Sequence, residues 1–563
     1  MIETLLLLLL AAKLKIMREG VLIVLVVLVS IFHTPVSAQR NKEKQDKQPK
    51  VVVGIVVENM RPDYIQRFWE KFQPNGFKKL YTKGTVCSNV HLNQHIQNYA
   101  SGTATLFTGV NPSIHGIVDK TWYDRLKNKV IECTEDDYYF TVGADTEAGN
   151  ASPVKLLSNT ITDVLKIYSQ GKSQVFSAAL NRESAVFAGG HAADGSYWFD
   201  IESGRMISSS FFVSTFPDWV RIFNSENYAE MYSYRTWTTL LPEATYTESL
   251  RDDYLLEKGY FGTFNTFPHS INKYIKRTED FRPFKTTPSA NLMVKDFMLQ
   301  MLDNEDIGTD DNTDFVTAVF SSMDYENGSF GPASLEMEDT YLYLDQYIGE
   351  LIDFTENKFG KENVLFFLTA NTSASYPVNY LKEEFNLPVD NFNIESAIAL
   401  LTSFLNITYG DNQWIEHYSD LQVYLNHDLI KEHKLDLNEM RDITSNFINQ
   451  FEGVQLSLPA YQLEQGSSAN GLLEPLYISY ARNRSGDFLF VLREGWQPVY
   501  KFKKVNYTDQ SHIPLVFYGS NIQPGIIKEK YDAKDLVPTL SELLKIPIPD
   551  RCQGEIIEKV IVN

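Results

Sequence analysis

The chain has 563 residues, 43% hydrophobic and 13% aromatic, which is enough apolar surface to bury a large core and too much for a disordered chain. Its formal net charge of -21 repels phosphate backbones and argues against nucleic acid as a partner, while naming no partner of its own. Three cysteines, Cys87, Cys133 and Cys552, with no CxxC pair, supply neither a disulfide framework nor a thiolate metal site, and whether Cys87 and Cys133 pair is left open.

In chain order, the first predicted element is an export signal. From Met17 the chain reads MREGVLIVLVVLVSIFHTPVSAQ, with basic Arg18, an apolar run over residues 21–32 and the small-residue cleavage signal Val36-Ser37-Ala38. Residues 1–38 are therefore expected to be a signal peptide with its true start at Met17, and the mature protein is expected in the periplasm. The apolar run is about twelve residues against the roughly 20 that span a bilayer, so no transmembrane span is expected in the mature chain. The alternative is a retained anchor. No cysteine follows the cleavage site, which disfavours a lipoprotein. Residues 39–49 (QRNKEKQDKQP) are polar, aperiodic and read as a linker.

Residues 50–57 (KVVVGIVV) are a continuous β-branched run ending at Glu58, the pattern of a central parallel strand buried on both faces. Similar runs fall at 318–323, 364–370 and 513–519. Between the later runs, residues 333–354 carry a helical stripe of Leu335, Met337, Tyr341, Leu344, Ile348 and Leu351. Buried strands alternating with amphipathic helices predict a doubly wound α/β domain over 50–556, with a mostly parallel sheet and ligands at the carboxyl ends of the strands. Two stretches break the alternation and read as cap insertions, roughly 196–285 and 375–504. The second is expected to contain a hairpin over 487–504 turning at Arg493-Glu494-Gly495.

The segments VVVGIVVENMRPDY, NVHLNQHIQNYASGTATLFTGVNPSIHGI followed by WYD, SSMDYENGSFGPASLEMEDTYLYLD, FFLTAN, SHIPLVFYG and DLVPTL carry a specific resemblance. In order and spacing they resemble the phosphate-irrepressible (PafA-like) alkaline phosphatases, a bacterial branch of the alkaline phosphatase and nucleotide pyrophosphatase superfamily. The resemblance implies an alkaline-phosphatase-like fold. It also implies two zinc ions, a threonine nucleophile, and an asparagine, a lysine and an arginine that clamp the phosphoryl oxygens.

Matched position by position, that machinery is largely replaced. The first-strand aspartate ligand is Glu58, and the nucleophile position is Tyr99, whose phenol would fill the space of a phosphate. The Asp-Tyr-x-x-His segment keeps Asp324 but has Gly328 for its histidine. The later Asp-His pair reads Asn371-Thr372, while the last histidine ligand survives as His512. The clamp asparagine is Lys120, and the clamp lysine and arginine are Asn181 and Glu183. Glu58, Asp324 and His512 remain as residual metal candidates, too few for two sites and at most enough for one zinc. Each also has a structural reading: Asp324 as a loop cap, His512 hydrogen-bonded in the core, Glu58 paired with Lys120 or Arg182. Ser101 and Thr103 read as loop or helix N-cap residues.

The expectation is thus a catalytically inactive, periplasmic, alkaline-phosphatase-like protein, with no cofactor, acting as a binding or scaffold component. Its partners would be proteins of the periplasm or outer membrane, in an envelope complex for example. The alternative is a metal-dependent phosphomonoesterase or phosphodiesterase with a modified site, in which Tyr99 could serve as nucleophile.

Overall fold

The computed structural model describes residues 10, 11, 13, 48–257, 259, 265–322, 330–465, 471–500 and 510–561. The predicted signal peptide and linker fall almost entirely outside them. Residues 48–563 form one compact unit. No helix among the described residues is long and apolar enough to cross a membrane.

The centre is an eleven-stranded sheet. Its strands are β1 (Val51–Glu58), β2 (Thr85–His91), β3 (Thr141–Val142), β4 (Val175–Ala179), β5 (Gly195–Asp200), β6 (Arg205–Ser209), β7 (Asp314–Ser321), β8 (Val364–Thr369), β9 (His512–Gly519), β10 (Gly525–Ile527) and β11 (Tyr531–Asp532). The spatial order is β10-β2-β9-β8-β1-β7-β4-β5-β6-β3, with β11 also paired to β2. From β8 through β1, β7 and β4 to β5 the pairing is parallel; β9 and β6 turn it antiparallel on either side. The doubly wound, mostly parallel sheet is therefore present. Every residue of β1, β7 and β8 is buried, which is why these strands read as continuous apolar runs rather than alternating ones.

Strand β7 begins four residues earlier than the run at 318–323 suggests. Asp314 can sit in a buried strand because its carboxylate accepts from the Gln174 and Gly308 backbone N–H groups, each at 2.6 Å. Burial still pushes that carboxyl up to about 6.

Helices cover the sheet: α1 (Tyr99–Thr108), α2 (Arg182–Gly189), α3 (Pro288–Asn304) and α4 (Leu335–Phe359). The predicted stripe of α4 is buried throughout, from Leu335 to Leu351. Ser334 caps its start by accepting from Met337 N, and Gly360 stops it at φ 84°.

The stretches read as caps divide differently. Strands β5 and β6, placed by the sequence reading at the start of the first cap, belong to the central sheet. The second stretch builds a separate four-stranded sheet from Ile415–Ser419, Gln422–Leu425, Val454–Pro459 and Phe488–Leu492. Its own core includes Leu401, Trp414, Val423 and Phe490.

Among the described residues, which end here at 500, the hairpin expected over 487–504 does not form. The chain does turn at Arg493–Gly495, where Gly495 takes φ 79°, but the arms diverge. Phe488–Leu492 pairs antiparallel with Val454–Pro459, whereas Gln497–Val499 pairs in parallel with Asn391–Asn393. Trp496, packed against Gly453, anchors the second arm elsewhere.

Candidate functional site

Parallel pairing brings the carboxyl ends of β1, β4, β7 and β8 to one edge. Antiparallel β9 delivers His512, its first residue, to the same edge. Most of the positions singled out in the sequence converge here.

Glu58 ends β1 and is 1% exposed. Its carboxylate accepts from Ser184 Oγ at 2.5 Å and Asn181 Nδ2 at 2.6 Å. Asn371, fully buried just beyond β8, donates to Thr103 Oγ1 at 2.9 Å and reaches Ser184 Oγ at 3.4 Å. Thr372 Oγ1 donates to Asn59 Oδ1 and accepts from Asn59 N, both at 3.0 Å. The helix–loop approach behind this network is close: a Cβ added to Gly102 of α1 would lie 1.8 Å from the Asn371 carbonyl oxygen.

Ser184 is the connecting residue that sequence reasoning missed. The available signal was its position three residues after Asn181, which places it beside Asn181 once α2 forms.

Tyr99 is the first residue of α1 and is 3% exposed. The helix cap is Asn98 rather than Ser101 or Thr103. Its side chain accepts from Ala100 N and Ser101 N at 3.0 Å each, and its amide donates to Asp119 Oδ1 at 2.8 Å.

The positions matched to the clamp in the sequence form a charged cluster next to the neutral network. The pairing of Glu58 with Lys120 or Arg182 considered from the sequence is replaced by their pairing with Glu183. Lys120 Nζ lies 3.9 Å and Arg182 Nη2 3.7 Å from Glu183 Oε1. Arg182 also binds Glu132, and Lys285, a cap residue with no signal in the sequence, donates to Asn181 Oδ1. Burial alone would raise the Glu183 carboxyl; Lys120 and Arg182 outweigh it and hold the group down at about 2.

All three cysteines are free thiols, so Cys87 and Cys133 do not pair. Burial pushes both thiols up, that of Cys87 to about 12.

His512 stacks on His91, with ring centroids 5.1 Å apart and planes at 17°. Its Nε2 meets the Ser88 carbonyl oxygen at 3.1 Å. It borders a cleft of about 430 Å³ lined also by Arg61, Asp63, Gln66, Tyr81 and Ser373. Asp324 and Gly328 lie outside the described residues.

Among the described residues, the donor set around Glu58 does not fit a zinc ion. Zinc takes three or four strong N, S or O ligands. Here one carboxylate is surrounded by amides and hydroxyls engaged with it and with each other. No group of three or more His, Cys, Asp or Glu among the described residues is arranged to hold a metal.

Residues 52–514 match the type I phosphodiesterase / nucleotide pyrophosphatase family model. Alkaline phosphatase PafA of Elizabethkingia meningoseptica is 33% identical over 91% of this chain and 95% of its own length. Alkaline phosphatase PhoV of Synechococcus elongatus is 30% identical over 91% and 93%. The crystal structure of wild-type PafA superposes with a TM-score of 0.86 at 32% identity, covering 92% of this chain and 99% of the other.

Proposed function

Since this chain belongs to the type I phosphodiesterase / nucleotide pyrophosphatase family, we propose that it is a member of that phosphoesterase family that has exchanged two-metal catalysis for a binding role in the cell envelope. The observation that carries this reading is the Glu58 network. A carboxylate that accepts from Ser184 and Asn181, beside Asn371 and Thr372, has no second ionised donor for a metal next to it among the described residues. The nucleophile position holds Tyr99 at the buried start of α1, and the clamp carries the carboxylate of Glu183. With no metal pair and the carboxylate of Glu183 set between Lys120 and Arg182, a phosphoryl group lacks the Lewis acid and meets a like charge where its transfer needs positive charge. Export, supported by the signal-like residues 17–38, and a protein partner in the periplasm or outer membrane complete the proposal.

The second reading is a phosphomonoesterase or phosphodiesterase with a modified site. The relatives named alkaline phosphatases, similar over nine-tenths of the chain, favour it over the first, and Asp324 and His512 would be its metal ligands.

One experiment separates the two. The mature chain is purified without chelator, its metal content is measured by mass spectrometry, and its turnover is assayed on aryl phosphate mono- and diesters. The binding role predicts neither stoichiometric zinc nor turnover above buffer. Stoichiometric zinc with hydrolysis that falls in Asp324→Ala and His512→Ala variants would establish the second reading.

A further inference from the structure

We propose that Glu257 and the tyrosines beside it form a binding site for a primary ammonium head, that of a free alkylamine or of a lysine side chain. None of its residues is among the positions matched to metal ligands, nucleophile or clamp, so the site stands under either reading of the Glu58 centre.

Three segments build it. The loop that carries Glu257 is held in place: Leu250 N donates to the Ala333 carbonyl oxygen at 2.7 Å, Asp252 accepts from Phe267 N, and Tyr254 N and Glu257 N close successive turns onto Arg251 and Tyr254. The helix Val378–Phe385 brings Tyr380, and the segment before it brings Tyr376. Together Tyr254, Leu256, Glu257, Pro332, Tyr376 and Tyr380 line a cavity of about 30 Å³. That is room for roughly two water-sized groups, so a primary ammonium head fits and a trimethylammonium head does not.

Charge selects the guest. Neither carboxylate oxygen of Glu257 accepts a hydrogen bond from a described residue, and both are hidden from solvent. The charged neighbour acting on it is another acid, Asp252, and Glu336 stands near enough for the two carboxyls to repel each other. A buried carboxyl with neither donor nor cation is costly, and burial accordingly pushes Glu257 up to about 8. Such a place lacks a cation with N–H donors, which is what a primary ammonium supplies. A rotation of the Glu257 side chain brings its carboxylate onto that guest.

The aromatic walls suit the same charge. Tyr376 and Tyr380 stack with centroids 5.0 Å apart, and Tyr254 meets Tyr380 at 6.3 Å. The guanidinium of Arg61, which is not part of the cavity lining, already lies 4.5 Å over the Tyr376 ring. A cation inside the cavity would feel the same attraction.

The test uses the mature full chain at constant ionic strength, with n-butylammonium, a capped lysine amide, tetramethylammonium and butanol as probes. Calorimetric titration compares wild type, Glu257→Gln and Tyr380→Leu. Butylammonium should bind wild type saturably, at least about tenfold more weakly in Glu257→Gln and about threefold more weakly in Tyr380→Leu. Tetramethylammonium and butanol should bind wild type at least about tenfold more weakly than butylammonium. Capped lysine that binds as tightly as butylammonium assigns the site to a peptide lysine, and butylammonium alone assigns it to a free amine.

Because Glu257 must ionise to hold the cation, affinity should rise between about pH 6.5 and about pH 8.5. Around Glu257, burial pushes Tyr254 and Tyr380 above the ordinary phenol value and His269, bonded to Glu336, down to about 4, so none of these changes charge in that window. Asp252 and Glu336 are pushed up, and Glu257→Gln, which keeps both, measures their share. That variant removes an acid without a described partner and should melt no lower than wild type, so a lost signal reads binding and not unfolding. Wild type indifferent to butylammonium at every pH, Glu257→Gln that binds it equally, or butanol or tetramethylammonium bound as tightly as butylammonium would overturn the proposal. Zinc with hydrolysis in the untreated protein would sink the first reading of the Glu58 centre and leave this result untouched.

Discussion

At the scale of single residues, the charge at Glu183 has a consequence for stability. Burial pushes its carboxyl up, and Lys120 and Arg182 more than reverse that, to about 2, below the ~4.3 of an unfolded chain. Between these values the unfolded chain binds more protons than the folded one. The stabilisation is therefore fully present above the unfolded value and is lost as pH falls through about 2. Denaturant melts between pH 6 and pH 2 should show this acid-side loss in wild type, with about 3 kcal/mol of it missing from Glu183→Gln. An equal slope in both proteins would contradict the assignment. The positions Tyr99, Asn181, Glu183, Asn371 and Thr372 could be singled out because each falls inside a segment of the family resemblance with fixed spacing. Ser184 and Lys285 were not, since a hydroxyl in a helix and a lysine at the end of a cap acquire meaning only from what they touch.

At the scale of elements, α1 and the loop after β8 are set by two local devices. Asn98 satisfies two N–H groups at the start of α1 and also holds Asp119. Replacing it with alanine should cost about 1–2 kcal/mol in thermal or chemical melts. Gly102 permits the backbone contact that seats Asn371. A methyl group there must displace the carbonyl 1.8 Å away, so Gly102→Ala should lower stability by about 3 kcal/mol or more and detach Asn371 from Thr103; an unchanged melting temperature would refute the contact. Strands β1 and β8 were readable because burial on both faces leaves a run of apolar residues. The start of β7 was hidden by Asp314, one of whose backbone partners, Gln174, comes from a distant segment. The expected hairpin failed for the opposite reason: a correct local turn at Gly495 says nothing about which strands its arms will join.

At the scale of the molecule, Asp487 is one of the residues that tie the second insertion to the main body, beside Arg484, which donates to the Gly116 and Lys155 carbonyl oxygens. Asp487 is fully buried, and its oxygens meet Arg125 Nη2 at 2.5 Å, Leu425 N at 2.7 Å, His427 Nε2 at 2.8 Å and Arg441 Nε at 2.9 Å. Arg125 comes from the turn after the strand Thr121–Asp124, far from the cap in sequence. Asp487→Ala strands three basic groups and should cost about 3–5 kcal/mol, seen in urea melts together with faster proteolysis within residues 375–500. Resistance equal to wild type would show that the cap is held by other contacts. By itself the sequence determined the α/β class and the family resemblance, and it carries the proposal of which site residues are replaced, because these follow from short-range pattern and motif spacing. Only the tertiary structure decided that Glu58 is satisfied by an amide and a hydroxyl while Lys120 and Arg182 turn to Glu183. Which donor reaches a buried carboxylate depends on the approach of elements more than a hundred residues apart, and no local pattern encodes that.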